Sequence, residues 1–166
     1  DRMFDQDRRG PGESNATLDR WEIDLTAGSV HTETRDDRGQ EFPRINEARE
    51  ALESRFVYVP TLSDSLKIPS PPAATFNTLL KVDTESGKST RHDFGNHIVG
   101  EAAFIPHRGS GEDNGYLAVF SYDPIKETSD FILLDAARVE SEPVAVVRLP
   151  QRVPQGLHGN WIPKGV

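Results

Sequence analysis

Three stretches of the chain repeat one pattern, and that repetition constrains the fold more than any other feature. RWEIDLTAG (20–28) and LKVDTESG (80–87) each carry an alternating or β-branched run, an aspartate, a polar turn with threonine or serine, and a glycine. Both read as β-hairpins. A weaker third copy is FILLDAARVESEPVAVVRLP (131–150), where a strand ends at Asp135 and a second strand, PVAVVRL, follows a polar turn. Asp24, Asp83 and Asp135 stand 59 and 52 residues apart. That spacing is a little above the blade length of β-propellers, in which a short four-stranded antiparallel sheet repeats around an axis.

The runs between the hairpins fit the same unit. RFVYVP (55–60), FNTLLKV (76–82), GEAAFIP (100–106), YLAVFSY (116–122) and FILLD (131–135) are short, rich in β-branched or aromatic residues, and bounded by Pro, Gly, Asn or Asp. One helix is expected, over NEAREALES (46–54), where Ala48, Ala51 and Leu52 share a face. SLKIPSPPAA (65–74) and HRGSGEDNG (107–115) read as loops, because proline removes backbone donors and glycine permits turns. The chain is therefore expected to be all-β, with about three blades. Three blades cannot close a propeller, so the sequence is expected to be part of a longer protein; it also starts with Asp1 rather than Met.

Composition narrows the function. The net charge of -8 repels a phosphate backbone, so nucleic acid is not an expected partner. With no cysteine there is no disulfide, thiolate zinc site or cysteine nucleophile. No run of 18 apolar residues is present to span a bilayer, and DRMFDQDRRG shows no export signal. A cytoplasmic location is expected, with room for peripheral membrane contact through segments outside this one. The glycine pattern of a phosphate loop and the GxSxG elbow of hydrolases are both missing.

Five histidines remain to be weighed. His31, His92, His97 and His107 lie in polar hairpin or loop surroundings with no local metal spacing, and are expected to be ordinary histidines. His158 differs: in QGLHGNWIP it has Gly159 beside it and Gly156 two residues before, with Leu157, Trp161 and Ile162 as an apolar wall. One imidazole cannot hold a catalytic metal, so any further ligands must come from elsewhere. Two glutamates sit in apolar runs, Glu41 in QEFPRIN and Glu101 in VGEAAFIP. A carboxylate placed there needs a cationic or N–H partner. Three readings stay open for them: capping loops or pairing with arginine, orienting a metal-bound histidine, or acting as an acid/base pair in a glycosidase.

Three separated motifs, QEFPRIN (40–46), GEAAFIPHRGSGEDNGYLAVFSYD (100–123) and RLPQRVPQGLHGNWIP (148–163), together resemble the carotenoid cleavage oxygenases, the family that includes the lignostilbene dioxygenases. The resemblance covers nearly the whole chain, in the order of that family's C-terminal part. It implies the C-terminal blades of a seven-bladed β-propeller with dome loops over its top face, residues 1–166 being an incomplete part of one oxygenase domain. The segment 61–75 would belong to those dome loops. Carried over by motif, His158 would be a ligand of a ferrous iron, Fe(2+), and Glu41 and Glu101 would each orient an iron-binding histidine. The other three ligands would lie in the N-terminal remainder of the same protein.

The implied reaction is cleavage of a carbon–carbon double bond of a carotenoid, apocarotenoid or stilbene by O2, giving two carbonyl products; the isolated 166-residue chain is expected to be inactive. Against the family pattern, Ala102 replaces a proline, Leu157 replaces an aromatic residue, and Asp113-Asn114-Gly115 replaces an acid-acid-glycine run. The alternatives are a propeller fragment of an interaction or glycosidase-like protein, and a family member that binds or isomerises its lipid without cleaving it.

Overall fold

The structure, a computed structural model, describes residues 16–63, 65–68, 75–109 and 111–164. Its strands are, in chain order, β1 (Leu18–Asp24), β2 (Ser29–Asp36), β3 (Phe56–Thr61), β4 (Thr78–Asp83), β5 (Ser89–Asp93), β6 (Ile98–Val99), β7 (Ala103–Pro106), β8 (Gly115–Asp123), β9 (Thr128–Asp135) and β10 (Ala145–Arg148). They form three antiparallel sheets: β1–β2, β3–β4–β5, and β10–β9–β8 with β6 and β7 following one another along the free edge of β8. Bridges from Gln40 to Thr61 and from Arg44 to Tyr58 add segment 40–44 to the free edge of β3. The second and third sheets are thus each four lanes wide, the width of a propeller blade.

The hairpins share one turn. Asp24 Oδ1 accepts the N–H groups of Thr26 and Ala27 at 2.8 and 2.9 Å, and Asp83 Oδ1 accepts those of Glu85 and Ser86 at 3.1 and 3.3 Å. Four residues after each aspartate the chain turns left-handed, at Gly28 (φ 64°) and Gly87 (φ 68°), where a residue without Cβ is favoured. The third copy of this turn is β8–β9 rather than the stretch 131–150. Asp123 Oδ1 accepts from Ile125 and Lys126 at 2.9 and 3.1 Å, and Glu127 takes the left-handed position at φ 55°. Asp135 does end β9, and β10 does pair with β9, but through a longer connection.

The expected helix over 46–54 is a single 3₁₀ turn, Glu47–Arg49, capped by the Asn46 side chain, which accepts from Ala48 N. Ala51 is left-handed at φ 60° and Leu52 is exposed, so the chain turns away before an apolar stripe can form. The prolines of 65–74 lie outside the described residues.

The β3–β4 ribbon is buried on both faces, which explains its nearly continuous apolar sequence. Tyr58 and Leu79 face the third sheet and join Phe104, Leu117, Val119, Ile132 and Leu134 in the larger core. Val59, Leu80 and Val82 face the other way, with Leu18 packed against them. Each fully buried leucine contributes about 1.5–3 kcal/mol. The outer elements are barer: Trp21, Ile23 and Val30 on β1–β2 and Val146 and Val147 on β10 are exposed.

Within the acidic loop, Glu112 and Asp113 clasp the two wide sheets together. Glu112 Oε1 accepts the N–H groups of Arg55 and Phe56, both at 2.7 Å, and Asp113 takes the Lys81 ammonium at 2.6 Å. Gly115 then passes so close to β7 that a Cβ would come within 2.7 Å of the Phe104 ring.

Candidate functional site

The edge lanes of the two wide sheets are interrupted in the same way. From Gln40 to Arg44 the chain uses one residue more than its partner from Thr61 to Tyr58. From Val99 to Ala103 it again uses one more than its partner from Ser121 to Ala118. Such bulges bend the strand and re-aim its side chains. The first puts Phe42 at φ 59° and resumes at Arg44; the second contains Glu101. Both point at the C-terminal segment that carries His158.

Glu101 is the hub. Its side chain is only 6% exposed, and its two oxygens are shared among three groups. Oε1 accepts from Arg44 Nη1 at 2.8 Å and faces His158 Nδ1 at 3.4 Å, while Oε2 accepts the Gly159 N–H at 2.9 Å. A buried carboxylate of this kind is tolerable because Arg44 neutralises it and a backbone donor fills the other oxygen. The Phe42 ring stands edge-on to the imidazole, 5.7 Å between centroids. Pro43, Ile45, Glu47, Glu50 and Asn160 complete an open concavity with Arg44, Glu101 and His158.

Arg44 meets three partners. Besides Glu101 it donates from Nη2 to Asn160 Oδ1 at 2.6 Å and to the Glu47 carboxylate. Burial lowers its pKa, but the hydrogen bond and charge of Glu101, with help from Glu47, more than reverse this and hold it above the usual arginine range. The guanidinium is a fixed cation.

The structure therefore brings together two of the three residues singled out in the sequence. His158 and Glu101 meet; Glu41 is exposed, lies outside the concavity, and has no hydrogen-bond or ion-pair partner among the described residues. Phe42, Arg44 and Asn160 join the site without any signal of their own in the sequence, although all three stand inside the quoted motifs. The other histidines are elsewhere. His31 and His107 are exposed, His92 is half-buried and donates to Val139 O at 2.9 Å, and His97 lies beside Ser121 and Asp123. Among the described residues no three His, Cys, Asp or Glu side chains cluster closely enough to hold a metal.

The model of the retinal pigment epithelial membrane protein (RPE65) family matches residues 1–163. A carotenoid cleavage oxygenase of Mycobacterium tuberculosis is 43% identical over 165 residues, covering 98% of this chain and 32% of that protein. The apocarotenoid-15,15'-oxygenase of Synechocystis is 31% identical, over 93% of this chain and 30% of its own length. A cobalt-substituted structure of the Synechocystis oxygenase superposes with a TM-score of 0.80 at 30% identity, covering 89% of this chain and 30% of that one. The chain thus spans about a third of the length of the relatives it matches. Its sheets are blades of the seven-bladed propeller that these neighbours share. With the matched family model spanning nearly every residue, the chain belongs to the RPE65 family of carotenoid cleavage oxygenases, as C-terminal blades of its propeller.

Proposed function

We propose that the full-length protein is a non-heme iron(II) dioxygenase that cleaves one carbon–carbon double bond of a carotenoid or apocarotenoid with O2. The single observation that carries this reading is the placement of His158 against buried Glu101 in a chain of this family. A carboxylate facing Nδ1 keeps the proton on that nitrogen and leaves Nε2 as the free donor atom, which is the arrangement of a metal-binding histidine. Neutral imidazole with no thiolate in the chain suits a divalent first-row transition metal. His158 would hold iron through Nε2 together with ligands outside this chain. Its ring is 71% exposed here, as expected of a ligand facing parts of the protein that this chain does not contain.

Bound ferrous iron would supply the activation of dioxygen beside the double bond. The residues of this chain position and shield. Glu101 fixes the tautomer and direction of His158, and its bond to Gly159 N–H keeps the backbone next to the ligand from swinging. Leu157, Trp161 and Ile162 present apolar surface beside the histidine, suited to a rigid polyene that must offer one double bond in one orientation. The two oxygen atoms of O2 end one in each carbonyl product, so the reaction needs no external reductant. The partner of these blades is the remainder of the same protein, without which the fragment should be inactive.

Incubation of the iron-loaded full-length protein in air with an apocarotenal, and separately with a small stilbene, tests the reading. Two carbonyl fragments from the apocarotenal are expected. Cleavage of the stilbene alone moves the substrate class to stilbenes, and cleavage of neither contradicts the dioxygenase reading in favour of a lipid-binding family member.

A further inference from the structure

Between Val153 and Lys164 the chain forms no strand or helix. Among the described residues, the hydrogen bonds that tie residues 154–164 to the rest of the protein all end on two side chains, Glu101 and Arg44. They are made by three consecutive residues: His158 and Gly159 on Glu101, Asn160 on Arg44. The hydrogen bonds of the segment carrying the candidate ligand thus converge on one ion pair, with the Phe42 ring packed against the imidazole.

We propose that Arg44 is a positioning residue for His158, acting through Glu101 and Asn160; the proposal rests on the metal-ligand reading above. Arg44 is suited to this role by its own anchorage. Its backbone N–H donates to Tyr58 O at 2.8 Å and its carbonyl accepts from Tyr58 N at 2.7 Å, which fixes its Cα to β3 just after the bulge. From there the side chain reaches Glu101 in the neighbouring sheet, with 15% of its surface and 6% of that of Glu101 exposed. The planar guanidinium places Nη1 on Glu101 and Nη2 on Asn160 at once, a divided geometry that a lysine ammonium on a flexible stem does not reproduce. Arg44 also competes with the imidazole for Glu101 Oε1: the arginine bond is 2.8 Å and the histidine contact 3.4 Å. The arginine therefore sets both where His158 stands and how strongly the carboxylate draws on its Nδ1 proton.

The test uses the full-length protein with Arg44→Met and Arg44→Lys. Amide hydrogen exchange is read in the metal-free state, and Fe(II) and Co(II) serve as the probes of metal affinity. In Arg44→Met, exchange of the peptide covering 157–162 should accelerate at least about tenfold while β3, β4 and β8 keep their protection. Metal affinity should fall by about 10–100-fold, with kcat lowered and KM unchanged at saturating metal. Arg44→Lys should fall between, since it keeps a charge for Glu101 but not the bond to Asn160. Unchanged exchange in 157–162, an even loss of protection across β3, β4 and β8, or faster exchange with unaltered metal affinity would each overturn the proposal. A His158→Ala protein that keeps its metal would sink the ligand reading instead, and the exchange experiment would still decide whether Arg44 holds the segment.

Discussion

Replacing Glu101 with glutamine removes one charge from the centre of the site and turns a donor toward a donor. Both carboxylate oxygens are occupied, Arg44 Nη1 at 2.8 Å on one and Gly159 N–H at 2.9 Å on the other. A glutamine amide has one oxygen and one NH2 group, so in either orientation one of these two donors loses its acceptor. A hydrogen bond to a charged group contributes about 1.5–3 kcal/mol, and a buried donor left without a partner costs about 1–3 kcal/mol. Arg44 keeps Glu47 as a second carboxylate, and one amide orientation still accepts from Arg44, so the net loss should lie near ~2 kcal/mol. Urea denaturation of the full-length Glu101→Gln protein measures it. Because the same change frees Gly159 and His158, metal affinity should fall about 10–100-fold, equivalent to about 1.4–2.7 kcal/mol. A variant within about 0.5 kcal/mol of the parent and within twofold in metal affinity would refute the claim that Glu101 organises the site.

The β8–β9 hairpin offers two further tests. Glu127→Gly relieves a left-handed conformation that costs an L-residue about 1–2 kcal/mol, offset in part by the greater chain entropy of glycine, so stability should rise by about 0.5–1 kcal/mol, seen as a higher melting temperature; a lower one would contradict the turn assignment. Asp123 is raised by burial, but bonds from the Lys126 side chain and from the Lys126 and Ile125 N–H groups outweigh this and lower its pKa to about 2, below the roughly 4 of an unfolded aspartate. A depressed carboxylate stabilises the fold above the unfolded pKa and loses that contribution as pH falls toward the folded one. Stability should therefore drop between about pH 4 and 2, and Asp123→Asn should flatten the curve there while being less stable at neutral pH; parallel curves would contradict this.

Glycine makes two of the three hairpins legible. Gly28 and Gly87 advertise their left-handed positions, whereas the same position after Asp123 is filled by Glu127, which carries no such signal, and the local pattern leads to Asp135 instead. Apolar runs such as YLAVFSY and FNTLLKV locate β8 and β4 because burial imposes them. NEAREALES has the propensity of a helix, but propensity without a face to bury does not survive the turn at Ala51. At the site, local setting singles out His158 and marks Glu101 as a carboxylate in need of a cationic or N–H partner, whereas a metal role for either comes only through the motifs that resemble a known family. Arg44 is not readable, because its meaning lies in partners 57 and 116 positions away, and such distances leave no trace in local pattern. The acidic loop is similar: its composition marks a loop but carries no sign that Glu112 and Asp113 bind Arg55, Phe56 and Lys81.

The most direct test of the central claim is metal content of the full-length protein beside its His158→Ala variant, with each protein's fold checked by circular dichroism. One iron per chain is expected in the parent, and loss of both iron and double-bond cleavage in a variant that remains folded. Full iron occupancy and unchanged cleavage in His158→Ala would contradict it.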